Sequence, residues 1–436
     1  MTGRSTWFSL RSSFWFIPSF AVIGAIILAV VLVLIDVRYG EYIKSAWPRL
    51  LLPEPDGARQ IFATIASSMI TVAGVVFSVT IVALSLAANQ YSPRILRNFM
   101  RDRINQVVLA VFTASFVYSL LVLQAISSEP QPFVPFFAVW AGILFAILSI
   151  GFLILFIHRT AMSIQVSEIM SRIARESAEA LTALQHMADV GGAVVDDTEQ
   201  LNNKSWHPIA STQSGYVQDI DTKKLFRLAC ERQVIIRVDN PVGEFVVEGR
   251  SLVSVNEPMD ADFAKRVRQL FGISSYRTIE QDPAFGIRQI VDIALRALSP
   301  GINDATTAIN SIDYLHVILH HIVSMKVHGT VHMDGQVPRL QLRQLGPEHL
   351  LDIALNEIRQ NAREHVSVLL RLLRLLRQLL QDASTISVKK RLLHHANLVV
   401  EECKRSVPEQ ADRAEVESAY QKILDLAPEF PCENFG

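Results

Sequence analysis

The sequence predicts a membrane domain of four transmembrane helices, followed by a cytoplasmic α+β region with a small β-domain and a C-terminal helical bundle. Composition is the first reason: of 436 residues, 50% are hydrophobic and only 19% are charged, with a mean hydropathy of +0.28, too apolar for an ordinary soluble chain. The second is that the apolar runs long enough to cross a bilayer lie within the first 160 residues. The third is the division of charge. A net charge of −1, from 41 basic and 42 acidic residues, hides an excess of base in residues 1–160 (11 against 6) and of acid afterwards (30 against 36). Such a chain is neither disordered nor collagen-like. Its three cysteines, Cys230, Cys403 and Cys432, fall in the second part without CxxC or His-linked spacing. No disulfide framework or zinc finger is expected, and a reducing cytoplasm suits that part.

The spans are placed at residues 14–35, 61–86, 104–126 and 133–157, each close to the roughly 20 helical residues that a hydrocarbon core of about 30 Å requires. Arg4 and Arg11 precede the first. Its apolar stretch exceeds the roughly 7–15 residues of a signal-peptide core and lacks a small-x-small exit, so it is read as an uncleaved span. Loop 87–103 carries Arg94, Arg97, Arg101 and Arg103 against Asp102, and the positive-inside rule places it, with both termini, on the cytoplasmic side of a bacterial inner membrane. The connections at 36–60, with Pro48, Pro53 and Pro55, and at 127–132, with Glu129 and no base, fall outside. Trp15, Tyr39 and Trp47 are interfacial anchors.

The second span carries the polar pattern of this half. Thr64, Ser67, Thr71, Gly74, Ser78, Ser85 and Asn89 recur at steps of three, four or seven and fall within an arc of about 80° at about 100° per residue. From Ser67 to Asn89 the stripe rises about 33 Å, the depth of the membrane. Such a stripe packs a neighbouring helix closely, through small residues and hydroxyls, or lines a conduction path with one such helix from each subunit. No span holds an ionisable residue in its interior, Asp36 and Gln124 being near ends. That argues against an ion-coupled transporter and leaves room for a passive pore.

The fourth span is expected to run on without a breaker as an amphipathic stalk over 161–189, with Ile169, Ile173, Ala180 and Leu184 on one side. The stalk packs either against its own domain or around an oligomer axis. A linker is read at 190–213 from Gly191, Gly192, Asn202, Asn203 and Pro208. GYVQDI, VIIRV and GEFVVEGRSLVSV then alternate, around a short helix at 223–231, to give a small β-domain over 214–280. Its spacing resembles the half-motif of biotinyl/lipoyl-like hybrids. No Met-Lys-Met hairpin surrounds Lys223 or Lys224, so neither is read as a carrier lysine.

Residues 281–436 read as helical. In QDPAFGIRQIVDIALRALSPGINDATTAINSIDYL, Asp282 caps and Pro283 takes the first helical position. Ser299, Pro300 and Gly301 end that helix, and Asn303 or Asp304 caps the next. Arg288, Asp292 and Arg296 form an i, i+4, i+8 ladder of alternating charge. It is either a solvated face or, with the Asn303–Asp304 turn, a buried network at a subunit interface or small-ligand site. His316 and His320 share a helical face, but His321, His328 and His332 do not complete a ligand set and there is no HExxH. No metal or other cofactor is assigned. Tail helices are placed at 347–380, 387–404 and 411–426. In RLLRLLRQLL, Arg371, Arg374 and Arg377 resemble a nucleic-acid surface, yet the surrounding half is acidic and an amphipathic bundle helix fits better. No nucleic-acid partner is expected. Walker, GxSxG, kinase, zincin and dinucleotide motifs are missing, so no catalytic residue is assigned and the chain is not read as an enzyme.

Four segments carry a family resemblance: GVVFSVTIVALSLAANQYSPRIL, HRTAMSIQVS, SGYVQDID and RTIEQDPAFGIRQIVDIALRALSPGINDATTA. Together they resemble the bacterial family of predicted membrane proteins known as domain of unknown function twenty-two fifty-four, over roughly residues 10–430. Ala305 departs from the Pro that the family pattern has after Asn-Asp, at a position where the first helical turn accepts either. The resemblance implies four spans, an inner-membrane location and a cytoplasmic domain, and no substrate. The leading functional expectation is an oligomeric channel-like protein in which Ser67, Thr71, Gly74, Ser78, Ser85 and Asn89 line or pack a central path, while the cytoplasmic region assembles or gates it. The alternative is a non-conducting membrane-anchored sensor or scaffold, binding a ligand or protein near Arg288, Asp292, Arg296, Asn303 and Asp304. The expected partners are the lipid bilayer, further copies of the chain, and a small ligand or ion of unknown identity.

Overall fold

The computed structural model describes residues 16–46, 54–90, 103–128, 132–163, 165–188, 194–195, 201, 204–324, 331–343 and 345–427. The arginines of loop 91–102, Trp15, Trp47, His328 and the side chain of Asn89 lie outside the described residues. Two compact units form, Met1–Gln165 and Val166–Gly436.

Among the described residues of the first unit four helices follow one another: α1 (Phe16–Ala46), α2 (Pro55–Gln90), α3 (Arg103–Ala125) and α4 (Phe136–Ser163). The parts of them long and apolar enough to cross a membrane, Phe16–Tyr39, Pro55–Ser85, Gln106–Ala125 and Phe136–Thr160, coincide with the four apolar runs. Helix is the form in which such a run satisfies its own backbone in lipid. The third helix is the most enclosed and touches the other three. Phe62, Tyr118, Val122 and Ala138 form one apolar cluster, and Met69, Val76, Leu109, Phe112 and Phe156 another. Gly142 makes the first possible, because a Cβ there would lie 2.5 Å from the Phe62 ring. The Tyr118 hydroxyl donates to the Ala138 carbonyl at 2.8 Å.

The second unit opens with α5 (Val166–Ala188), so the expected continuous stalk is interrupted after Ser163. The new helix has Glu168 in its first turn, where a carboxylate favours a helix start. Of the two packings considered for it, the intradomain one forms: α5 lies against α8 (Pro283–Ala297) and α9 (Ala305–Ser324), burying Ile169, Ile173, Ala180 and Leu181.

The β region is wider than 214–280. A six-stranded sheet has the order β1-β8-β9-β4-β6-β2 and a three-stranded sheet the order β5-β3-β7. Strands β1 (Val194–Val195) and β2 (His207–Ala210) come from the segment read as a linker. Strands β3 (Gly215–Ile220), β4 (Ile236–Val238), β5 (Phe245–Val246), β6 (Ser251–Val255) and β7 (Phe271–Ser274) come from the expected β-domain. Strands β8 (Val331–Asp334) and β9 (Val337–Gln341) come from the region read as helical. The signal was there, since Asp334-Gly335 between alternating residues marks a hairpin, and Gly335 has φ +63°. Pro338 obscured it, because proline usually excludes a strand. Here it sits where the β8–β9 register shifts. Leu340 joins Val253, Val255, Leu225 and Leu228 of α6 (Thr222–Arg232), and Phe263 of α7 (Ala261–Arg268), in the main core of this region.

Helices α10 (Pro347–Ala362), α11 (Val366–Asp382), α12 (Ile386–Ser406) and α13 (Gln410–Leu424) complete the unit. The stretch 347–380, expected as one helix, is two, broken at Arg363 with φ +38°. Unbroken, it would run about 50 Å and carry its two apolar halves apart. On α11, Leu369, Leu372, Leu376 and Leu379 are buried, and Arg371 pairs with Asp313 of α9. This is the amphipathic bundle helix that the leucine spacing predicts.

Candidate functional site

The stripe on α2 faces away from the other described residues of its own unit. Thr64, Ser67, Thr71, Gly74, Ser78 and Ser85 are all exposed, whereas Phe62, Ala66, Met69, Ala73 and Val76 are buried. The two faces lie about 160° apart around the helix. Among the described residues the stripe is not closely packed against a neighbouring helix. The hydroxyls of Thr64 and Thr71 donate to the carbonyls of Gln60 at 2.8 Å and Ser67 at 2.7 Å. Among the described residues nothing lies within 4 Å of where a Cβ on Gly74 would be.

Polar side chains of this unit instead secure helix ends. Asp36, 1% exposed, accepts from the backbone N–H groups of Phe137 at 3.0 Å and Ala138 at 3.1 Å. It thus caps α4 from another helix, satisfying donors that a helix start leaves unpaired. Arg59 does the converse: its Nε and Nη2 donate to the Ile126 carbonyl, at 3.2 and 2.9 Å, just past the end of α3. Ser128 donates to Asp56 at 2.9 Å. Neither capping role was read from the sequence, because each partner lies 67 residues or more away.

In the second unit the charge ladder becomes a bridge. Arg288 Nε lies 3.0 Å from Asp292, and both terminal nitrogens grip Glu357 of α10, Nη2 at 3.0 Å from Oε2. The hydrogen bond to Glu357, more than the charge of Asp292, pushes the guanidinium further up. Arg296 is exposed. Asn303 takes φ +53°, a conformation asparagine tolerates. Asp304 caps α9, accepting from Thr307 N at 3.0 Å and Thr307 Oγ1 at 2.6 Å. The Thr307 hydroxyl, followed by its backbone, holds this carboxyl below the usual carboxylate range. Asp304 thus spends both oxygens on its own helix, and residues 300–303 are exposed. Within the single chain this turn is a surface cap. His320 Nδ1 lies 3.1 Å from Asp382, and burial, then His320, pushes His316 down. Among the described residues no group of three or more histidines, cysteines or carboxylates is placed to hold a metal ion.

A family model described as "Predicted membrane protein (DUF2254)" matches residues 11–378. The chain belongs to this family. Uncharacterized proteins of Mycobacterium bovis and Mycobacterium tuberculosis are each 31% identical to it over 444 residues, covering 98% of the chain and 84% of theirs. No solved structure matches. The family description agrees with four candidate spans: this is a membrane protein.

The longest motif of this family member seats α8. Arg277 Nε and Nη2 hold Asp282 at 2.7 and 3.0 Å, with the guanidinium 5.2 Å from the Phe285 ring centre. Asp282 caps the helix through Phe285 N at 3.1 Å. Gln281 accepts from Ile220 N at 3.1 Å, tying the motif to β3. At Gly286 a Cβ would press on Ser177 Oγ of α5 and come within 3.1 Å of the Ser177 Cβ.

A second polar seam, unsuspected from the sequence, joins α10 and α12. Asp352 accepts from Arg391 Nε at 2.7 Å and from His395 Nε2 at 2.9 Å. Seven residues further along each helix, Arg359 meets Glu402 at 3.3 Å. Burial pushes His395 down to about 4 against the opposing pull of Asp352, and its Nδ1 is buried with no partner among the described residues.

Proposed function

We propose that this membrane protein acts as a homo-oligomer of channel-like character in the bacterial inner membrane. In this reading the α2 stripes of neighbouring copies meet around a central path, both termini are cytoplasmic, and the second unit assembles or gates the path from that side. The carrying observation is that Ser67, Thr71, Gly74, Ser78 and Ser85 lie on the face of α2 opposite the one that packs inside its own unit. Pairs such as Ser67/Thr71 and Gly74/Ser78, four apart, let helix backbones of separate copies approach in lipid, and Gly74 leaves space for them. The arginines at 94, 97, 101 and 103 support the orientation. The ligand-binding alternative has less support, since Arg288 is engaged by Glu357 and Asp304 by Thr307. No catalytic role is assigned.

The test is ion flux through purified full chain in liposomes, comparing wild type with Ser78→Leu, each sized in detergent. Flux lost at unchanged size supports a path along α2. A smaller mutant assembly indicates that the stripe packs subunits without lining a path. A monomeric or silent wild type, over a range of voltages and pH, removes the proposal.

A further inference from the structure

We infer that the β8–β9 hairpin is an acid-released latch: proton uptake by His332 frees it from α6, so that this edge of the six-stranded sheet opens as pH falls. His332 is 4% exposed, and among the described residues its buried Nδ1 has no hydrogen-bond partner. Its ring centre lies 6.2 Å from that of Phe226 on α6. Across the hairpin it stands opposite Leu340, which belongs to the main core with Leu225 and Leu228. Both neighbours are apolar. An imidazolium carries a donor on each nitrogen, so charging the ring where it stands leaves the Nδ1 donor stranded among them.

Two features couple that charge to the hairpin as a whole. Strand β8 is covered on both faces: His332 turns to α6, while Val331 and Met333 pack with Leu201 and Ile235 on the other side. The ring therefore reaches water by moving its strand, not by a change of rotamer. The hairpin is also weakly laddered, since its register shifts between His332 and Met333 and Pro338 brings no N–H. It joins β4 through Leu340 and Gln341, opposite Ile236 and Arg237. Neighbouring charges do not hold the imidazolium in place. Asp334, two residues on and so on the same face of β8, lies 3.6 Å from Arg339 Nε of β9 and accepts from the Cys230 thiol of α6. Lys223, Lys224 and Arg227 of α6 are exposed, and Val194, opposite His332 on β1, cannot titrate. Burial pushes the imidazole below its ordinary 6.5. The open hairpin thus takes up a proton that the closed one refuses, and closure, complete above about 6.5, weakens as pH falls below it.

The latch does not depend on conduction. Hydrogen exchange of residues 331–341 in the purified full chain, corrected for intrinsic rates, reads the opening of the hairpin at pH 7, 6 and 5. In wild type the opening constant should rise several-fold between pH 6 and 5, the ceiling for one proton being about tenfold per pH unit. His332→Phe, which keeps an aromatic ring against Phe226 and cannot titrate, should give a level profile. Should that chain lose its wild-type size, His332→Gln supplies the same comparison. In His395→Leu, where the α10–α12 seam no longer takes up a proton at position 395, the hairpin slope should persist. A level wild-type profile, an undiminished slope in a His332 variant, or a slope that disappears in His395→Leu overturns the inference.

Discussion

Acidification from pH 7 to pH 4 is expected to loosen the seam between α10 and α12, and His395 sets the size of the effect. Its side chain is 2% exposed. Nε2 is committed to Asp352 at 2.9 Å, so a second proton must go onto Nδ1, which is buried without an acceptor among the described residues. Burial accordingly pushes the imidazole from its ordinary 6.5 to about 4. Since the folded value lies below the unfolded one, the unfolded chain binds a proton that the folded chain refuses between these two values. Stability is complete above about 6.5 and falls as pH drops through the window. At about 1.4 kcal/mol per pH decade this amounts to roughly 3 kcal/mol. Asp352 adds its share lower down: burial alone would raise it, but the hydrogen bonds from Arg391 and His395 outweigh burial and hold it below the ordinary carboxylate value. Its contribution is lost only as pH falls through that depressed value. Hydrogen exchange of the α12 amides in the full chain, corrected for intrinsic exchange rates, reads the local opening free energy. Wild type should lose most of the roughly 3 kcal/mol by pH 4, while His395→Leu, weaker at neutral pH, should show a much flatter profile. A wild-type profile flat from pH 7 to 4, or an equal slope in the leucine variant, would refute the reasoning.

Two further outcomes are expected. Gly286→Ala should destabilise the α5–α8 contact by about 1–3 kcal/mol through overpacking against Ser177, and Ser177→Ala in the same chain should restore part of it. Additive losses in thermal unfolding would show that the two positions do not meet. Asp36→Leu should cost about 1–3 kcal/mol by stranding the N–H groups of Phe137 and Ala138 inside the bundle. Asp36→Asn, which keeps an acceptor, should cost less, and equal melting temperatures for the two variants in detergent would contradict the cap.

The features legible in the sequence were those whose cause is local. A run of some 20 apolar residues must be helical in lipid whatever surrounds it, and the four spans fall where those runs are. Asp282 before Pro283 caps α8 because a cap needs only the next three residues. The leucines of α11 are buried as their period implies. The sheet could not be read this way. Strand β4 pairs in parallel with β9, about a hundred residues later, and no local signal specifies such a neighbour. The breaks at Gln165 and Arg363 carry neither Pro nor Gly, so no local breaker marks them. For the candidate site, the α2 stripe was visible as a periodicity, but a period marks a face without saying what it meets. Only the packing of Phe62, Met69 and Val76 inward turned the stripe outward. Likewise Arg288 and Asp292 were visible as a ladder, yet Glu357, 69 residues from Arg288, decides its role. Hydrophobic length, periodicity and capping act within a span or a turn and are written in the chain. Partners brought together by folding are chosen by the shape and charge of distant segments, so they exist only once the tertiary structure has formed.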